Sequence, residues 1–217
     1  MKNLNLRVYP PKQKIQVSAP RSVPDSIIED FLRAKLPWIR EQLSKTEKFT
    51  VAKDPAFIDG EKHSIWGKEY QLKIVEEHKS PKVILKDNMV KMHVRPGSDN
   101  QKKAKVLKEW YRAELKKEIP KLIKKWEPIM NVSVTEFGVK DMKTRWGTCN
   151  IRAQRIWLNL QLAKKRPELL EYVVVHEMTH LHERLHNKRF YGLMKKFLPN
   201  WKSLKNELNG KNSMKNC

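Results

Sequence analysis

Cysteine is nearly absent: the 217 residues hold two, Cys149 and Cys217, too few for a disulfide framework. Glycine is scarce, with seven scattered residues and no glycine-rich phosphate loop. No apolar run approaches the roughly 18 residues that a membrane helix needs. The opening MKNLNLRVYPPKQK also lacks the apolar stretch of a signal peptide. Acidic residues are outnumbered, 24 Asp and Glu against 46 Lys and Arg, for a net charge of +22. These shortages argue against a stapled secreted scaffold and against a membrane protein. Hydrophobic residues at 39% argue against wholesale disorder. The expectation is a soluble, cytoplasmic α+β protein with a large positive field.

The charge is unevenly spread. Residues 1–100 carry 19 basic and 13 acidic residues, a net of +6, whereas residues 101–217 carry 27 and 11, a net of +16. Such a field attracts polyanions, so nucleic acid or a nucleotide is a candidate partner beside a protein or peptide. The plainer reading is surface solubilisation, which suits Lys116, Lys117, Lys124 and Lys125 on the outer face of an expected helix.

The hydrophobic pattern divides the chain into a β-rich portion with one helix, residues 1–98, and a mainly helical portion, residues 99–217. Alternation in Leu4–Val8 and Ile15–Val17 reads as a hairpin turning at Pro10-Pro11-Lys12-Gln13. Asp25 is a plausible N-cap for a helix that Pro37 should kink or split. Residues 44–57 read as a linker. Ser64–Val75, Lys82–Lys86 and Met89–Val94 read as strands, with a hairpin turn at Asp87-Asn88. Asp99 caps a long helix to about Lys125 whose buried stripe is Leu107, Tyr111, Leu115, Leu122 and Trp126, with Pro120 a bend. Val132–Val139 and Ile156–Leu162 read as strands. Pro167 opens a helix through His180 and Leu181, a last helix covers Lys188–Phe197, and the tail from Asn206 should fray.

The helix after Pro167 carries the chemistry: His176-Glu177-Met178-Thr179-His180, an H-E-x-x-H. Residues four apart on a helix lie about 40° apart around its axis, so both imidazoles leave one face and can hold one Zn²⁺. Glu177, adjacent to the first ligand, can reach a water activated by the metal, which is the arrangement of metal-assisted hydrolysis. The apolar run Tyr172–Val175 before the motif marks a buried helix, where unpaired imidazoles are costly. A third ligand is not assigned by this spacing. His182 should face away on a continuing helix. His186 returns only if the chain turns between Leu181 and Leu185, where no Gly or Pro stands. Glu207 is the other candidate, and His186 is favoured because Glu207 lies near the tail that should fray. The strand Ile156–Leu162, if it forms an exposed edge, could bind an extended peptide through Asn159. In the preceding loop Arg145 could bind substrate or steady an oxyanion, while Trp146 and Cys149 read as packing and Gly147 as a tight turn. His63, His78 and His93 stand alone.

Three stretches carry a resemblance: Met142-Lys-Thr-Arg-Trp-Gly-Thr-Cys149, Ile156-Trp-Leu-Asn159, and Val174–Leu181 running on to Glu183-Arg-Leu-His186 and Phe190. The chain resembles the YgjP-like metallopeptidase family, related to the SprT-like proteases. Thr148 replaces the family's usual serine and Met178 its usual leucine. The resemblance implies a zincin-like α+β domain, with zinc on His176, His180 and His186 and Glu177 as general base. A peptidase is therefore the leading expectation. A metal-dependent nucleotide phosphohydrolase and a DNA-associated module with structural zinc are the alternatives.

Overall fold

The computed structural model describes residues 4–9, 14–47 and 55–210. The expected turn at 10–13 lies outside them, as do residues 48–54 of the expected linker, whose first residues, 44–47, belong to a helix. Two compact units emerge, Met1–Asp54 and Pro55–Cys217. The division therefore falls after Asp54 and not at 98–99. The strands between residues 62 and 94 share one buried apolar cluster with everything C-terminal to them, so no boundary separates them.

The first unit pairs β1 (Asn5–Tyr9) with β2 (Lys14–Ser18) in antiparallel register, Asn5 opposite Ser18. Its helix α1 (Asp25–Glu47) runs through Pro37 as a single element, and Asp25 lies in its first turn, not before it.

The second unit opens with β3 (Lys62–Ile65), β4 (Lys68–Glu76), β5 (Lys82–Lys86) and β6 (Met89–Val94), ordered β3-β4-β6-β5. The run expected as one strand from Ser64 breaks at Trp66-Gly67, where both residues have positive φ and close a tight hairpin. Asp87 and Asn88 do the same between β5 and β6, as the sequence suggests.

The helix α2 (Asn100–Met130) is capped by Asp99, whose side chain accepts from Lys102 N at 2.8 Å, and ends at a left-handed Asn131. It passes through Pro120 and continues beyond Lys125. Its buried stripe is Leu107, Tyr111, Leu115, Ile119, Ile123, Trp126 and Met130. Steps of four and three residues keep these on one face, so Ile119 and Ile123 take the place expected for Leu122.

A second sheet comprises β7 (Glu136–Lys140), β8 (Gly147–Asn150) and β9 (Arg155–Asn159), ordered β7-β9-β8. A 3₁₀ turn at Leu160–Lys164 follows. Then come α3 (Pro167–Thr179), α4 (Lys188–Phe197) and α5 (Trp201–Leu208). Residues Leu169–Val175 of α3, apart from Glu171, are buried, so this helix is walled in on nearly all sides. The expected frayed tail is ordered through α5, because Trp201, Leu204 and Leu208 insert one apolar face into the core. Among the described residues no helix is long and apolar enough to cross a membrane.

Candidate metal centre

The motif lies on the last turn of α3. The helix stops at Thr179, one residue before the second histidine, and His180 sits in the turn that follows. No glycine or proline makes this turn. Hydrogen bonds from Leu181 N to Met178 O (3.0 Å) and from His182 N and Glu183 N to Thr179 O (3.0 and 3.1 Å) close it. Two side chains then redirect the chain: Glu183 accepts from Leu185 N at 3.2 Å, and Asn187 caps α4 by accepting from Phe190 N at 3.0 Å. His182 faces the other way, as its spacing implies, donating from Nε2 to the Met130 carbonyl at 2.7 Å. The short range caps at Glu183 and Asn187 were the signal for the turn that His186 needs.

The three imidazoles converge. Their possible ligand atoms all lie within 4.8 Å of one another, with ring centroids 4.7–5.1 Å apart. Phe190, fully buried, forms an apolar floor with its ring centroid 4.7–5.0 Å from all three. His176 Nε2 and His186 Nε2 face each other at 3.0 Å. His180 Nδ1 donates to the Glu183 carbonyl at 3.1 Å, which leaves its Nε2 as the free lone pair. Burial, reinforced by the neighbouring His180 and His186, drives the pKa of His176 down to about 3, so the ring is neutral and able to ligate.

Glu177 is buried beside them. Burial pushes its carboxyl up to about 8, against the opposing charge of Arg145. The carboxylate lies on the backbone of Gly147: a Cβ there would meet Glu177 Oε1 at 2.6 Å and Cγ at 2.8 Å. Gly147 thus provides room rather than the tight turn the sequence suggests, since it starts β8 in extended conformation. Cys149, two residues on, is half-buried. Burial and the Glu177 carboxylate raise its thiol to about 11, so it stays protonated.

A cleft of about 1030 Å³ opens over this centre, lined by residues 144–152, by α3 and the following loop, and by Lys205, Leu208 and Asn209. Arg145 lines it. Asn159 does not. Its buried amide donates to Met142 O (2.8 Å) and Arg145 O (2.6 Å) and accepts from Gln161 N (3.0 Å), so it clamps the loop that carries Arg145 and Gly147. Nor is its strand an edge: β9 is central, paired with β7 and β8, and the edge along the cleft is β8. Glu207 is occupied elsewhere, accepting from Arg166 Nε and a terminal guanidinium nitrogen at 2.6 Å each. Tyr172, one turn before His176 and so on the same face, also lines the cleft. Burial lifts its phenol to about 12. Sequence reasoning passed over Tyr172 and Lys205. The i−4 spacing to His176 pointed to the first; nothing local pointed to the second.

The YgjP-like metallopeptidase domain matches residues 2–211. This chain belongs to the YgjP-like metallopeptidase family. A YgjP-like protein is a hydrolase of peptide bonds and carries a metal, and His176, His180 and His186 are the cluster among its described residues that could hold one. The donors fit: three imidazole nitrogens, one of them fixed in tautomer, and a pair at 3.0 Å, near the roughly 3.3 Å that separates two imidazoles on one tetrahedral ion. The YgjP-like chain is also similar to two solved structures. One is the metallopeptidase zymogen of Pyrococcus abyssi abylysin, at 17% identity and TM-score 0.40, covering 43% of this chain and 94% of that chain. The other is the zymogen of Methanocaldococcus jannaschii jannalysin, at 18% identity and TM-score 0.38, covering 43% and 95%. No curated protein matches the chain.

Proposed function

We propose that this metallopeptidase is zinc-dependent, that His176, His180 and His186 are its metal ligands, and that Glu177 is its general base. The observation that carries the reading is the convergence of three imidazoles within 4.8 Å beside one buried carboxylate. A nitrogen-only set of three ligands suits zinc, and leaves a fourth position for chemistry. When bound, the metal supplies Lewis acidity, polarising the scissile carbonyl and acidifying water.

The protein's own groups do the rest. Glu177 takes a proton from the attacking water on a carboxylate oxygen and passes it to the departing amine. Gly147 lets that carboxylate sit flush against the backbone of β8. The free edge of β8 can pair with an extended peptide and lay its carbonyl over the centre. Tyr172, protonated at neutral pH, offers a hydrogen-bond donor on the cleft wall.

The test is Glu177→Gln. The exchange should abolish peptide hydrolysis while elemental analysis finds zinc at the wild-type level. Wild-type turnover in that variant would remove the general-base role, and zinc retained by a His176→Ala, His180→Ala double variant would remove the ligand set.

A further inference from the structure

We infer that the cleft selects acidic peptides, with Arg145, Arg152, Arg184 and Lys205 receiving carboxylate side chains around the scissile bond. The inference names a substrate class for the peptidase site just proposed, and rests on that reading.

The charge of the wall is one-sided. These four cations line the cleft, and among the described residues the only carboxylate lining it is Glu177, which is buried at the base against Gly147 and feels the charge of Arg145 alone among the four. Nearby carboxylates are committed elsewhere. Glu183 binds Leu185 N and lies 3.8 Å from Arg189, and Glu207 is held by Arg166. On α2 some basic residues are neutralised locally: Arg112, Lys117 and Lys121 each pair with a glutamate three residues away. Among the described residues, no ion pair is formed by any of the four cleft cations. Unpaired cations scattered on a surface mean little. Four that line one cleft with a single carboxylate at its base reinforce one another's potential.

Their placement matches an extended ligand. Arg145 and Arg152 flank the two ends of the edge strand β8 (Gly147–Asn150), so a peptide paired to that edge passes between them. Arg184 sits on the loop that delivers His186. Lys205 projects from α5, its ammonium 5.8 Å from the ring centroid of Tyr191 and 5.7 Å from that of Trp201, an aromatic platform that holds the charge in place. A substrate with Asp or Glu on either side of the cleaved bond meets a cation whichever way it runs. A lysine-rich one is repelled.

The experiment uses zinc-loaded Glu177→Gln protein, which should bind without cleaving, and three fluorescent peptides. They share one sequence, with Glu, Gln or Lys at the positions flanking the central bond. Exposed charge pairs are each worth a few-fold in affinity, so anisotropy should rank Glu over Gln by about tenfold at about 50 mM salt, and Gln over Lys. The gap should close near about 500 mM, where the screening length shrinks to a few ångströms. Adding Arg152→Glu and Arg184→Glu should erase or invert the ranking, with circular dichroism confirming the fold and each single exchange narrowing the gap if the pair does not fold. Equal affinities, or a preference that survives the exchanges, overturn the inference. So does a cleft that binds a nucleoside triphosphate tightly and ranks the peptides equally. Cleavage by the wild-type protein separates the two levels. If it cuts none of the peptides while binding still follows charge, the peptidase mechanism falls and the acidic preference stands. If it cuts all three equally with flat affinities, the reverse holds.

Discussion

Gly147→Ala is the sharpest probe of how the centre is built. An added Cβ would stand 2.6 Å from Glu177 Oε1, 2.8 Å from Cγ and 2.9 Å from Cδ, whereas ordinary contact begins at 3.4 Å. The Glu177 side chain must therefore retreat by roughly 0.5–1 Å. For the fold this is a small matter. The atoms displaced belong to one side chain and not to backbone, so an off-rotamer cost of about 0.5–1.5 kcal/mol is offset in part by the lower entropy of an alanine chain when unfolded. For a chain of this size that shifts Tm by about 2–4 °C at most. For catalysis it is large, because a displacement near 1 Å at a reacting group costs on the order of 10²-fold in rate. We expect kcat on a peptide substrate to fall about a hundredfold while zinc content holds, since the three atoms nearest the added Cβ all belong to Glu177 and none to an imidazole. In a Glu177→Ala background those three contacts are gone and the same substitution should cost less stability, a coupling that a double-mutant cycle reads directly. An alanine variant with wild-type kcat, or one that loses its metal in step with its activity, would refute the reasoning.

Three further outcomes follow from the geometry. His186→Ala should lose most of its zinc by elemental analysis, whereas His182→Ala should keep it and lose only about 0.5–1.5 kcal/mol with the hydrogen bond to Met130 O. The opposite pattern would exchange their roles. Asn159→Leu strands the carbonyls of Met142 and Arg145, so thermal denaturation should register a loss of about 1–3 kcal/mol together with a drop in activity as the Arg145–Gly147 loop loosens; unchanged stability would show that the clamp is idle. The Glu207 carboxyl is held below its ordinary value of 4.5, first by its hydrogen bond from Arg166. Its stabilising effect is thus fully present above that value and disappears as pH falls through the lower folded-state value. Denaturation curves of wild type and Glu207→Gln should differ at neutral pH and converge in acid. Zinc loss in that variant would instead make Glu207 a ligand.

The sequence alone settled what is local. The spacing of His176 and His180 and the adjacency of Glu177 follow from helical periodicity, and the buried character of α3 follows from Tyr172–Val175. The long capped helix from Asp99, the Asp87-Asn88 hairpin and the α+β class were legible for the same reason: each is written within a few residues of itself. The resemblance to the family added His186, which spacing left undecided against Glu207.

What only the tertiary structure decided involves partners far apart in the chain. Which strand forms the cleft edge depended on β9 inserting between β7 and β8, and nothing in the run Ile156–Asn159 distinguishes a central strand from an edge one. Gly147 serves Glu177 thirty residues away, so its reason for being glycine was invisible beside its own neighbours. Asn159 turned inward to hold a loop, and Lys205 came to the cleft on a helix that runs past Asn206, where the tail was expected to begin. Periodicity states which side chains share the face of one element. Which faces meet is decided by the burial of apolar surface over the whole chain, and the chemistry of this cleft lies where those faces meet.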